Sequence, residues 1–229
     1  MLNLFYSHNA EIENAYIITI KDNKISEKLS ERCQDSCIKV GMLFKIWHAY
    51  DGTGKNIIEP DHLKDDTVMS MLKITNHYLT KSQVSCMLSH ISLWLHCIKL
   101  DKPIIILEHD AIIVKKIQYL PSYNAIVYLG GAEWASNNFK ICDIPLHGSD
   151  GPNVRFICRA HAYAVDPQVA KNLVAHVLKM GIYTSADCFM RADLFNITHK
   201  GLNAFDISGE STIRESESNT HIRNDDLKN

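Results

Sequence analysis

The chain has 229 residues, 46% of them hydrophobic and 22% charged, with 24 Lys and Arg against 26 Asp and Glu for a formal charge of −2. These values fit one globular domain with a sizeable core and exclude a collagen-like, low-complexity or fully disordered chain. The near-neutral balance gives no general attraction to polyanions, so composition neither supports nor excludes a nucleic-acid partner.

Ala15–Ile20 is a β-rich run that ends at the polar Lys21–Lys24, the pattern of a buried strand closed by a turn. Leu29, Cys33 and Cys37 then recur at helical spacing, with Ser26 expected as N-cap and Gly41 as the stop. Met42–His48 is a second apolar run, and it leads into Asp51-Gly-Thr-Gly54, a loop whose glycines permit close approach of backbone to a ligand. From Ser82 to Leu100, Val84, Met87, Leu88, Ile91, Leu95 and Ile98 share one helical face, and Asp101–Pro103 breaks the helix. Pro103–Leu107 is a continuous apolar run of the kind found in doubly covered central strands. Ala125–Leu129 reads as a further strand running into Gly130-Gly131, and the polar residues 136–155 read as a long loop. Ala160–Val165 reads as a strand. Asp166 and Pro167 then open a helix as N-cap and first helical residue, with Val169, Leu173, Val177 and Met180 as its apolar stripe.

This alternation predicts an α/β domain with an open, mostly parallel central sheet covered by helices on both faces. After about Ile213 the chain is polar and charged, so residues 1–213 are expected as the domain and 214–229 as a flexible tail. No apolar run is long enough to span a bilayer and no signal-peptide pattern opens the chain, so a cytoplasmic protein is expected. The cysteines at 33, 37, 86, 97, 142, 158 and 188 are odd in number, lack a CxxC pair, and are expected as reduced thiols. Cys33 and Cys37 have the spacing of half a zinc site but lack a second pair.

In open α/β sheets, ligands bind at the carboxyl ends of strands, which is where Glu108-His109-Asp110 follow the most apolar run. If the chain stays extended there, Glu108 and Asp110 point to one side of a cleft and His109 to the other. Two carboxylates so placed suit a divalent cation that carries phosphate oxygens, although acids after a strand are also ordinary solvated turn residues.

Cys86-Met-Leu-Ser-His90, Trp94 and Pro103-Ile-Ile-Ile-Leu-Glu-His-Asp-Ala111 together resemble glycosyltransferase family 25, with its Gly-Cys-x-Leu-Ser-His helix and its strand ending Leu-Glu-Asp-Asp-Ala. Ala15–Ile20 is similar to the family's opening strand, and Ala49-Tyr-Asp-Gly52 to its Ala-x-Asp-Gly turn. His161-Ala-Tyr-Ala-Val165 with Ala170–Leu173 resembles its His-x-Tyr strand and following helix. Asp187 falls at its Pro-x-Asp element, and Ser211–Ile213 at its closing Ser-x-Ile. The resemblance covers roughly residues 14–213. Departures are Ser85 for the usual Gly, His109 for the middle acid, Ser185-Ala186 for Pro-x, and Lys21 and Lys24 as the reduced basic set after the first strand.

The resemblance implies a GT-A fold, a nucleotide-sugar donor such as a UDP-sugar, and transfer with inversion to a glycan hydroxyl of lipopolysaccharide type. It implies Asp110 as ligand of Mn²⁺ or Mg²⁺, with Glu108 as a second ligand, ribose contact or catalytic acid. Ala49, Asp51, Gly52, Ser89, His90 and His109 would surround the donor, and His161 would orient donor or acceptor. Asp187 would be the base that takes the acceptor's proton. Blander roles stand beside these: His90 and His161 as satisfied core histidines, Asp187 as a charge at a helix start, and 49–52 as a plain glycine loop. Hydroxymethylated DNA bases are the alternative acceptor, and the His109 departure keeps open a noncatalytic, ligand-binding relative.

Overall fold

In the computed structural model, which describes residues 14–64, 66–117, 124–132, 142–145, 153–157 and 159–206, the first apolar run becomes β1, Ala15–Thr19, with all five residues buried. The helix α1, Lys24–Lys39, is capped by Asn23 rather than by Ser26, since the Asn23 side chain accepts the Ser26 N–H. That leaves the Ser26 hydroxyl, inside the first turn, for partners elsewhere. Gly41 ends the helix at φ 67°, a conformation that costs a residue without Cβ little. β2, Phe44–His48, follows, and a 3-10 turn at Asp61–Leu63 with the short α2, Thr67–Ser70, leads to α3, Lys81–Leu100. α3 begins just ahead of its apolar stripe because Thr80 and Gln83 cap it reciprocally.

β3, Ile104–Glu108, is joined by two residues to β4, Ala111–Ile113, and β5 spans Ile126–Ala132. Two paired antiparallel strands, β6, Cys142–Pro145, and β7, Asn153–Phe156, stand in and just past residues 136–155, which were expected as loop. β8, Ala162–Val165, runs into α4, Pro167–Met180, where Asp166 accepts the Val169 N–H as N-cap. α5, Ala186–Phe189, and the long β9, Ile197–Asp206, complete the described chain. Cys158, Ser211–Ile213 and the tail 214–229 lie outside the described residues.

The main sheet runs β2-β1-β3-β8-β5-β9-β4. It is mixed and not mostly parallel: β2-β1, β1-β3 and β5-β9 are parallel, whereas β3-β8, β8-β5 and β9-β4 are antiparallel. Parallel neighbours need a long crossover, usually a helix. α1 and α3 supply crossovers for β1, β2 and β3, but among the described residues no helix lies between β3 and β8. Both faces are covered, as expected. Ile104 and Ile106 pack with Ile91 and Trp94 of α3 and Leu173 of α4, while Ile105 and Leu107 pack with Cys33 and Cys37 of α1. The alternation follows from the two-residue repeat of a strand, and each buried Ile or Leu contributes about 2 kcal/mol of transfer free energy.

One connection shapes the site. β3 and β4 stand four strands apart in the sheet order, about 19 Å in a flat sheet at normal strand spacing, yet Glu108 to Ala111 reaches at most about 11 Å. The sheet therefore curls around the His109-Asp110 turn and brings the far edge to the end of β3. No helix among the described residues is long and apolar enough to cross a membrane.

Candidate active site

A cleft of about 540 Å³, including solvent at its mouth, opens at the carboxyl end of β3. Ile18 and Ile20 form one wall, and Ala49, Tyr50, Gly52 and Thr53 a second. The third wall is one face of α3, Ser82, Ser85, Cys86, Ser89 and His90, and the floor is Glu108, His109 and Asp110.

The 49–53 segment is held against α3 by specific contacts. Ser89 Oγ accepts the Tyr50 N–H at 3.0 Å and donates to the Ser85 carbonyl at 2.8 Å. A Cβ at Gly52 would collide with the Lys81 carbonyl oxygen and stand 2.5 Å from Ser85 Oγ, so only glycine fits. Asp51 turns away. Its Oδ1 accepts the Thr53 N–H at 2.8 Å and the Thr53 hydroxyl at 2.6 Å, so it shapes its own loop.

At the end of β3 the chain turns at His109-Asp110 instead of staying extended, so His109 lines the cleft together with both acids. Glu108 is anchored through its amide, which donates to the His161 carbonyl at 2.9 Å. Its Oε1 accepts His90 Nε2 at 3.2 Å and the Cys86 thiol at 3.8 Å. Burial pushes the Glu108 carboxyl up, but the His90 hydrogen bond and the fields of His90, His109 and His161 outweigh it and leave the pKa below its ordinary value. His90 is fully buried and bonds the Tyr163 hydroxyl through Nδ1 at 2.7 Å. His109 Nδ1 lies 3.0 Å from Ser26 Oγ, the hydroxyl freed by the Asn23 cap, which also accepts the Ile20 N–H at 2.8 Å. Burial holds the His109 pKa down against the pull of Glu108.

Asp110 is the strained member of the group. Its Oδ1 is buried without a hydrogen bond. Burial first, then the charges of Glu108 and Asp206, push its pKa up to about 8, against its own backbone N–H and Arg159. Asp206 was not singled out by sequence reasoning. It ends β9, is buried, and pairs in register with Ala111, which sets it beside the turn. Its Oδ2 holds the Arg159 guanidinium, and its Oδ1 is also unpartnered. No local motif marks it; only the β4-β9 pairing reveals its place. His161 is buried behind the same cluster, and burial holds its pKa down against the pull of Asp206 and Glu108.

Among the described residues one group of three ligand side chains is close enough together to hold a metal. Cys86, His90 and Glu108 offer atoms within 4.8 Å of one another. That set is already satisfied internally, and burial, then Glu108, Asp187 and Asp110, raise the Cys86 thiol far above its ordinary value, where it is a poor ligand. Asp110 joins no trio of donor atoms that close among the described residues, but its buried Oδ1 lacks a partner and it feels the charges of Glu108 and Asp206, so its oxygen chemistry suits a hard divalent ion. The structure thus gathers Ala49, Gly52, Ser89, His90, Glu108, His109 and Asp110 around one cleft, while Asp51, His161 and Asp187 lie outside its lining. Asp187 sits in α5 with Oδ1 accepting Ser185 Oγ at 2.5 Å and the Cys188 N–H at 2.9 Å. It is near enough to Cys86 to raise that thiol.

Comparison with known proteins gives a family. A solved structure of a glycosyltransferase involved in the glycosylation of the major capsid of PBCV-1 is similar over 90% of this chain and 98% of its own, at 9% identity and a TM-score of 0.39. That score is too low to bear on fold or activity. No curated protein sequence matches the chain. The model of glycosyltransferase family 25 (LPS biosynthesis protein) matches residues 12–146, more than half of the chain and all three walls and the floor of the cleft. The chain belongs to glycosyltransferase family 25 and is a transferase enzyme.

Proposed function

We propose that the protein moves a sugar from a nucleotide-sugar donor, a UDP-sugar foremost, to a hydroxyl of a lipopolysaccharide-type glycan, with inversion and with Mn²⁺ or Mg²⁺ held by Asp110 and Glu108 on a GT-A-like scaffold. The observation that carries this reading is the buried, unpartnered Oδ1 of Asp110, set with Glu108 at the floor of the cleft and raised by the nearby charge of Asp206. The family's description supports the glycan acceptor. A bound divalent ion would neutralise the charge that develops on the departing diphosphate.

The protein's own groups supply the remaining needs. Ala49 to Thr53 and the serine-rich face of α3 receive the nucleoside, with Gly52 admitting close backbone approach. Glu108 presents the oxygen that neither His90 nor Cys86 engages. His161 stays behind the acids, and its carbonyl holds the Glu108 amide at the end of β3. Asp187 is assigned as the acceptor-side base: Oδ1 is fixed by two donors, and the residue adjoins the α3 wall through Cys86 without belonging to the metal group. The test is a panel of nucleotide sugars with Mn²⁺, read by nucleotide release for the wild type and for Asp110→Ala. At least one donor should be turned over by the wild type and none by the variant. Absence of release with every donor, with and without glycan acceptors, would sink the reading.

A further inference from the structure

Behind the cleft, four side chains form a hydrogen-bonded line. Trp94 Nε1 lies 2.9 Å from the Tyr163 hydroxyl, which lies 2.7 Å from His90 Nδ1, and His90 Nε2 lies 3.2 Å from Glu108 Oε1. Trp94, Tyr163 and His90 are all fully buried, and Trp94 and Tyr163 do not line the cleft.

The direction of this line follows from the group at its far end. An indole N–H can only donate, so the Tyr163 oxygen accepts it. The hydroxyl has one proton of its own, and His90 Nδ1 is its second neighbour. If Nδ1 carried a proton instead, the Tyr163 proton would be buried without an acceptor, at a cost of about 1–3 kcal/mol. Nδ1 therefore accepts, the imidazole proton sits on Nε2, and Nε2 donates to Glu108 Oε1. The Cys86 thiol adds a second donor to the same oxygen at 3.8 Å. Ring stacking resists rotation of the imidazole, since His90 and Tyr163 lie 5.6 Å apart with planes 23° from parallel. His90 and Trp94 are four apart on α3 and so share a helix face, while Tyr163 and Glu108 come from strands that pair directly.

We propose that Trp94 and Tyr163 are positioning residues that dictate which oxygen of Glu108 faces the donor's cation, an inference that rests on the metal-dependent reading above. By fixing the imidazole tautomer from behind, they tie Oε1 to the protein and leave Oε2 for the ion. Glu108 then meets the cation with one oxygen in one orientation. Neither positioning residue touches donor or metal. Support of this kind behind a ligand is worth about 10- to 100-fold in metal affinity.

The full-length protein without donor tests this through two readouts: Mn²⁺ binding by electron paramagnetic resonance, and imidazole ¹⁵N shifts of His90, assigned by comparison with His90→Gln. Wild type should show the Nε2-protonated tautomer alone. Tyr163→Phe keeps the ring but removes the hydroxyl; its Mn²⁺ dissociation constant should rise about tenfold, with mixed His90 tautomers and a native circular dichroism spectrum. Trp94→Phe should shift both readouts the same way by less. An unchanged Mn²⁺ affinity in Tyr163→Phe, or a wild-type His90 protonated on Nδ1, would overturn the inference and leave the functional reading standing. If Tyr163→Phe does not fold, Trp94→Phe decides on the same two readouts. Failure of the wild type to bind any Mn²⁺ would overturn the metal reading, and this inference with it.

Discussion

Asp110→Asn should stabilise the cation-free protein at pH 8 and do little at pH 5. The Asp110 carboxyl is raised to about 8 by burial and by Glu108 and Asp206, whereas in the unfolded chain it titrates near 4. Between those values the folded state holds a proton that the unfolded state has lost, so stability falls as pH rises from about 4 through about 8. At about 1.4 kcal/mol per pH unit the ceiling is roughly 6 kcal/mol, and partial exposure with local relaxation brings an expected gain for Asn to about 1–3 kcal/mol. For a domain of this size that is a rise of about 2–10 °C in Tm. Thermal melts of wild type and variant with EDTA at pH 5 and pH 8 measure the difference directly. Adding Mn²⁺ at pH 8 should stabilise wild type and erase the variant's advantage, because the ion satisfies what the amide no longer needs. An equal loss of Tm in Asp110→Asn at both pH values would instead mark a simple packing role and refute the raised carboxyl.

Gly52→Ala should raise the donor KM about tenfold or more, because its Cβ meets the backbone oxygen of Lys81 and forces the 49–53 wall off α3; steady-state kinetics with the best donor measures it. Gly130→Ala should cost about 1–3 kcal/mol in urea melts, since its Cβ would collide with His161 Nε2. His161→Ala should relieve much of that cost, so a double-mutant cycle far from additive is expected.

The parts of this protein that could be read from sequence are those whose cause is local. The Pro103–Leu107 run declares β3 because both faces of that strand are covered, and Asp166-Pro167 declares the start of α4 because capping acts within one turn. Strand direction has no such local cause. Nothing in Ala162–Val165 states that it runs against β3, so the sheet was expected to be mostly parallel and proved mixed. β9 was unreadable for a different reason. Ile197-Thr-His-Lys-Gly-Leu-Asn-Ala-Phe-Asp206 neither alternates cleanly nor pairs evenly, and its register against β5 shifts between Tyr128 and Gly130. Asp206 was hidden with it.

In the site, Glu108, His109 and Asp110 were legible as a group because a strand end is a local feature. The physical cause of their inequality was not, although the resemblance already set Asp110 ahead of Glu108 as metal ligand. That inequality depends on which oxygen His90 and Cys86 occupy, on Asp206 arriving from the far edge of the curled sheet, and on Ser26 being released from capping by Asn23. His109 had drawn attention as the departure from the family's middle acid. In the fold it bonds Ser26 and fastens α1 to the turn, and it leaves Glu108 and Asp110 on the same cleft.

The most direct measurement of the central claim is anomalous scattering from crystals grown with Mn²⁺ and a nucleoside diphosphate. A metal peak about 2.2 Å from Asp110 Oδ1 and from the Glu108 oxygen not bonded to His90, bridging to the diphosphate, is the predicted result. A peak on Cys86 and His90 instead, or a nucleotide bound in the cleft with no metal at Asp110, would contradict it.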